Sequence, residues 1–94
     1  MSNKQVGNPK DIEHHMLVDA QDKESPHPTI MAGLALQKME LGQVLKLVTN
    51  SEGSQRNIRI YADSMGHEIL KVEKLYDVTT FWIKKNTSPS EEAK

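Results

Sequence analysis

Apolar and polar positions alternate along this chain in a way that marks four strands and two helices. His15 to Ala20 (HMLVDA) reads as a short strand, and Gln43 to Thr49 (QVLKLVT), apolar and β-branched, reads as a second. Between them Gln21 to Glu24 is a polar loop, and Ser25-Pro26-His27-Pro28 opens a helix. Serine is among the best N-cap residues, proline at the first helical position costs no hydrogen bond, and Pro28 falls in the same first turn with φ already helical. Glu40-Leu41-Gly42 supplies a C-terminal glycine, so this helix is expected to stop near Gly42. After the loop Asn50-Ser51-Glu52-Gly53, Ser54 reads as a second N-cap. Ile58, Tyr61, Ala62 and Met65 recur behind it at helical spacing, and Gly66 marks the end. His67 to Lys74 and Val78 to Lys85 are strands parted only by Leu75-Tyr76-Asp77, a gap that suits an antiparallel hairpin.

The order βαβαββ predicts an α/β (α+β) two-layer sandwich: a four-stranded mixed sheet with two helices on one face. Strand–helix–strand crossovers imply at least one parallel pair, and the final hairpin makes the sheet mixed. Residues 13–86 form the expected domain. Residues 1–12 and 87–94 are polar, charged or proline-containing without periodicity, and are expected to be disordered tails.

Composition narrows the function classes. With 94 residues there is one domain near the size where burial is marginal. At 36% hydrophobic, 27% charged and a formal net charge of −1, it carries no strong electrostatic steering toward nucleic acid. The apolar stretch around Ile30 to Leu36 is too short to span a bilayer and the polar N-terminus is no signal peptide, so the expected location is cytoplasmic. The absence of cysteine excludes disulfides, thiolate metal sites and persulfide chemistry within the chain.

Side-chain chemistry adds little catalysis. A nucleophilic Ser25 would need a base and an orienting acid; His27 lies two residues away with no evident acid, so Ser25 is read as a cap. His14 and His15 point to opposite faces of a strand and cannot share a metal. His67, after the helix-ending glycine, suits a backbone-bonding role. No metal site and no cofactor are expected. Arg56, Arg59 and Lys38 could form a small basic patch, but Asp63 lies one turn beyond Arg59 and is expected to pair with it.

The chain resembles the TusA/SirA-type sulfur-carrier family, small proteins that hold a persulfide on one cysteine and pass it between sulfurtransferases. The resemblance rests on Val18-Asp19-Ala20 before the loop, Pro26 and Pro28 of a Cys-Pro-X-Pro signature, and Lys38-Met39 with Gly42. It continues through Arg56-Asn57-Ile58, Gly66-His67-Glu68-Ile69-Leu70 and Phe81-Trp82-Ile83-Lys84-Lys85, and covers nearly the whole core. It implies that Ser25 occupies the position of the sulfur-bearing cysteine, where a hydroxyl cannot hold a sulfane sulfur. The Gly-Leu pair that usually precedes that cysteine is also absent; the loop reads Asp22-Lys23-Glu24. Two histories give such a sequence, a natural relative that lost the cysteine or a carrier in which cysteine was replaced by serine; a single replacement would leave that pair intact, which favours the first.

The resemblance also orients the first helix. Ala32, Leu36 and Met39 share the side that should face the sheet, while Ile30 and Leu34 lie nearly opposite, with Leu41 extending their stripe if the helix runs so far. A helix on one sheet can bury only one side, which makes Ile30 and Leu34 candidate partner-binding residues. The leading expectation is a non-catalytic binding or regulatory module engaging sulfurtransferases or DsrE-like sulfur-relay proteins, or a second copy of itself. The alternatives are a sulfur carrier inactivated at Ser25 and an unrelated binding use of the fold.

Overall fold

The structure, a computed structural model, describes residues 12–87. Its elements are β1 (Met16–Asp19), α1 (His27–Lys38), β2 (Val44–Thr49), α2 (Glu52–Met65), β3 (Glu68–Leu75) and β4 (Val78–Lys84), the expected βαβαββ order. They form one sheet ordered β1-β2-β4-β3. β1 pairs parallel to β2, β2 antiparallel to β4, and β4 antiparallel to β3, so the last strand of the six elements sits inside the sheet. Of the two tail expectations, all but Ile12 and Thr87 lie outside the described residues. Thr87 is anchored, its hydroxyl donating to the Met65 carbonyl at 2.6 Å.

Period-two alternation sends Leu45 and Leu47 of β2 and Phe81 and Ile83 of β4 to the helix side, where all four are fully buried. Ala32, Ala35, Leu36 and Met39 of α1 and Ile58 and Ala62 of α2 close over them. This is the two-layer arrangement, with both helices on one face. The helices approach so closely at Gly33 that a Cβ there would lie 3.1 Å from the Tyr61 hydroxyl. On the opposite face Trp82, 3% exposed, lies between Lys46 and Lys71, whose ammonium groups are 5.5 and 5.2 Å from its ring centroid.

The helix ends depart from expectation in three places. Ser25 is not the N-cap of α1. The helix starts two residues later, Pro26 occupies the cap position, and no side chain caps it. A helix start leaves four N–H groups without intrahelical partners; here two are missing because residues 26 and 28 are prolines, and His27 N–H donates to the Glu24 carbonyl at 2.8 Å. Little is left for a serine to satisfy.

Gly42 does not end α1 either. The helix stops at Lys38, Met39 is extended, and Gly42, at φ +88°, belongs to the turn into β2. The cause is distant in sequence. Lys85, 4% exposed, donates from Nζ to the Met39 carbonyl at 2.6 Å and, more weakly, to the Gln37 carbonyl at 3.4 Å, closing the negative end of the helix with a cation from after β4. Leu41 therefore does not continue a helical stripe.

The third departure is in α2, whose N-cap is Ser51 and not Ser54. Ser51 Oγ accepts from Ser54 N–H at 3.3 Å and from Ser54 Oγ at 3.1 Å, which puts Ser54, fully buried, one turn inside the helix. Ser51→Ala is expected to lower stability by about 1 kcal/mol through the lost cap. An unchanged urea midpoint would show that the cap carries no stability. The other end behaves as expected, with Gly66 in the left-handed region at φ +80°.

Candidate functional site

β1 and β2 are parallel, so the segments leaving their C-terminal ends emerge side by side at one end of the sheet. Both are polar and neither is loose. Asp22 N–H donates to Asn50 Oδ1 at 2.8 Å, and Asn50 Nδ2 returns a bond to Asp22 Oδ1 at 3.3 Å. This reciprocal pair holds Asp22 at φ +66°, a conformation aspartate tolerates better than most residues. Asp19 closes the start of the loop by accepting from Gln21 N–H at 3.1 Å. Together Asp22, Lys23, Glu24, Ser25, Asn50 and Ser51 line an open depression at this end of the sheet.

Ser25 sits on the rim of that depression, exposed, and joined to Pro26 by a cis peptide. Its hydroxyl oxygen accepts from Asn57 Nδ2, on α2, at 2.7 Å. The approach of the two segments is close, since a Cβ on Gly53 would lie 3.6 Å from the Ser25 Cβ. His27 is exposed in the first turn of α1 and Pro28 is buried beneath it. Ser25 is thus held by an amide, not by an imidazole, and among the described residues no base–acid pair bonds to it. Ile30 and Leu34 stand away from this depression on the outer side of α1, 52% and 54% exposed, while Ala32 and Leu36 on its inner side are each 1% exposed.

Other expected contacts resolve as follows. His67 Nδ1 accepts from Asn86 N–H at 3.3 Å, a backbone-bonding role. His15 Nδ1 accepts from Val44 N–H at 3.0 Å. Arg59 directs its guanidinium over the Phe81 ring, 5.7 Å from the centroid, where an ion pair with Asp63 was expected; the ring of a core residue offers it a partly dry, electron-rich surface. Asn50, Asn57 and Asp22 carry the geometry of the depression, yet sequence reasoning does not assign them that role. Asn57 stands out only as part of Arg56-Asn57-Ile58, since a contact between side chains 32 residues apart leaves no periodic trace.

The family model for Sulfurtransferase TusA matches residues 16–85, the whole of the sheet and both helices. The chain belongs to the TusA family. Sulfur carrier protein TusA of Pseudomonas entomophila is 27% identical over 75 residues, covering 80% of this chain and 94% of that protein. A protein of Aquifex aeolicus, provisionally named a sulfur carrier, is 33% identical over 82 residues; these cover 87% of this chain but only 42% of the relative, so the chain spans less than half of its length. Among solved structures, the SirA-like protein from Desulfitobacterium hafniense superposes with a TM-score of 0.68 at 27% identity, covering 78% of this chain and all of that one. This TusA-family chain contains no cysteine at all, so it offers no thiol to a sulfane sulfur. Among its described residues no helix is long and apolar enough to cross a membrane.

Proposed function

We propose that this protein is a cytoplasmic, non-catalytic binding or regulatory module of sulfur trafficking, which keeps the docking scaffold of a TusA-family sulfur carrier and does not itself carry sulfur. The observation that carries the reading is Ser25 on the rim of the depression: a hydroxyl where the family resemblance calls for a thiol, on a loop otherwise held in place by Asn50 and Asn57. A serine hydroxyl is essentially un-ionised near neutrality and forms no persulfide, whereas a cysteine thiol with a pKa of ~8.5 is readily ionised at a helix N-terminus. The exposed Ile30 and Leu34 supply an apolar surface for a protein partner of the sulfur-relay type, such as a sulfurtransferase or a DsrE-like protein.

The test is direct. Incubated with a small persulfide donor and examined by intact mass, the protein is expected to gain nothing, and Ser25→Cys to gain the mass of one sulfur. A gain on the unaltered chain would overturn the reading.

A further inference from the structure

Asn57 reaches from the second turn of α2 to the one side-chain atom at position 25 that could carry chemistry. The bond has a direction. Nδ2 of an amide only donates, so the γ atom of residue 25 is held as an acceptor at 2.7 Å. A donor fixed on an atom favours that atom's anionic form over its neutral one, because the hydrogen bond to a charged acceptor is shorter and roughly twice as strong.

We propose that Asn57 is the positioning residue of this site: it orients the γ atom of residue 25 and stabilises negative charge on it, so that the chain retains an anion-supporting setting around a γ atom that is oxygen. The proposal rests on the reading of position 25 given above. Its test needs no sulfur donor, however, so the two can fail separately.

Charged and titratable groups around residue 25 are Asp22, Lys23 and Glu24 on its own loop, His27 in the first turn of α1, and Glu52 and Arg56 near the start of α2. The positive N-terminal ends of both helices lie close by as well. All of these are common to the variants compared, so their contributions cancel in the difference.

The experiment measures the thiol pKa in Ser25→Cys from the pH dependence of iodoacetamide alkylation. It is then repeated with Asn57→Leu, which keeps the side-chain size without a donor, and with Asn57→Asp, which puts a carboxylate in the donor's place. The Ser25→Cys thiol is expected below the ordinary value of ~8.5, with Asn57→Leu raising it by about half a unit to one unit and Asn57→Asp by more. Trp82 fluorescence reports whether each double variant is folded. If Asn57→Asp does not fold, Asn57→Ser, with a short hydroxyl in its place, is expected to fall between the parent and Asn57→Leu. Equal pKa values in the folded variants would overturn the proposal, because a purely structural contact would leave the titration unmoved. A persulfide gain on the unaltered chain, with the Asn57 dependence intact, would overturn only the functional reading.

Discussion

Lys85→Ala is expected to remove about 3–4 kcal/mol of stability, a large part of the 5–15 kcal/mol that holds a domain of this size together. Two losses add. The lysine stem is packed inside, so truncation opens a cavity, and the carbonyls of Met39 and Gln37 lose their donor, at about 1–3 kcal/mol for a buried acceptor left unserved. Lys85→Met separates the two terms: it refills the space and lifts the cost of keeping an ammonium group out of water, so its expected cost falls to about 1–2 kcal/mol. Urea unfolding followed through Trp82, the one tryptophan of the chain, reads both variants. If Lys85→Ala moved the midpoint no more than an ordinary surface substitution, about 0.5 kcal/mol, the ammonium group could not be what closes α1.

Charging the outer stripe of α1 is expected to do the opposite, sparing the fold and abolishing association. Each aliphatic side chain buried in an interface contributes roughly 1.5–3 kcal/mol, so Ile30→Lys with Leu34→Glu is expected to weaken binding to a purified sulfur-relay partner by about a hundredfold or more. The unfolding midpoint is expected to stay within about 0.5 kcal/mol, because both positions are half exposed. Leu36→Ala, on the buried side of the same helix, is the control and is expected to cost about 2–5 kcal/mol. Sedimentation of the double variant separates the possible occupants: a fall in mass alone assigns the stripe to self-association, and lost partner binding at constant mass assigns it to a relay protein. Undiminished association by both measures would show that the stripe is not an interface.

What the chain revealed before its coordinates, and what it withheld, divide along a physical line. Element interiors were legible because they depend on local repetition. Gln43–Thr49 is an apolar, β-branched run, and Ala32, Leu36 and Met39 recur on one helix side, so strand and helix follow from local pattern, with the resemblance choosing the helix face that meets the sheet. The ends of α1 were not, because the bonds that settle them are not visible in a local pattern. α1 stops at Lys38 because Lys85 reaches it across 46 residues of sequence. Its start was misread because Ser25 makes a sound cap in isolation, yet its hydroxyl is taken by Asn57 while the prolines and the Glu24 carbonyl have already dealt with the helix's own donors. In α2 the sequence points to Ser54 as the cap; in space Ser51 is the acceptor and Ser54 its buried partner. The depression at the sheet end was the least visible of all, since Asp22 and Asn50 gain their meaning only when parallel strands bring their ends together.

The interior place of β4 governs the order in which the molecule can be assembled. β2 and β3 run parallel, one strand width apart, and each has its partner in residues 78–84. A ribosome delivers those residues after everything else in the sheet, so until they emerge β2 and β3 lack the strand that joins them. The hairpin turn at Tyr76-Asp77 brings β4 back toward β3 over a short loop, which makes that pairing the quick one, while closure onto β2 joins residues 30 to 40 apart, from Thr49 with Thr79 to Val44 with Lys84. Sheet completion is therefore the docking of a β3–β4 hairpin onto β2. A separate peptide spanning residues 78–85 is placed to complete a chain interrupted in the hairpin, supplying the central strand and the lysine that closes α1 in one step.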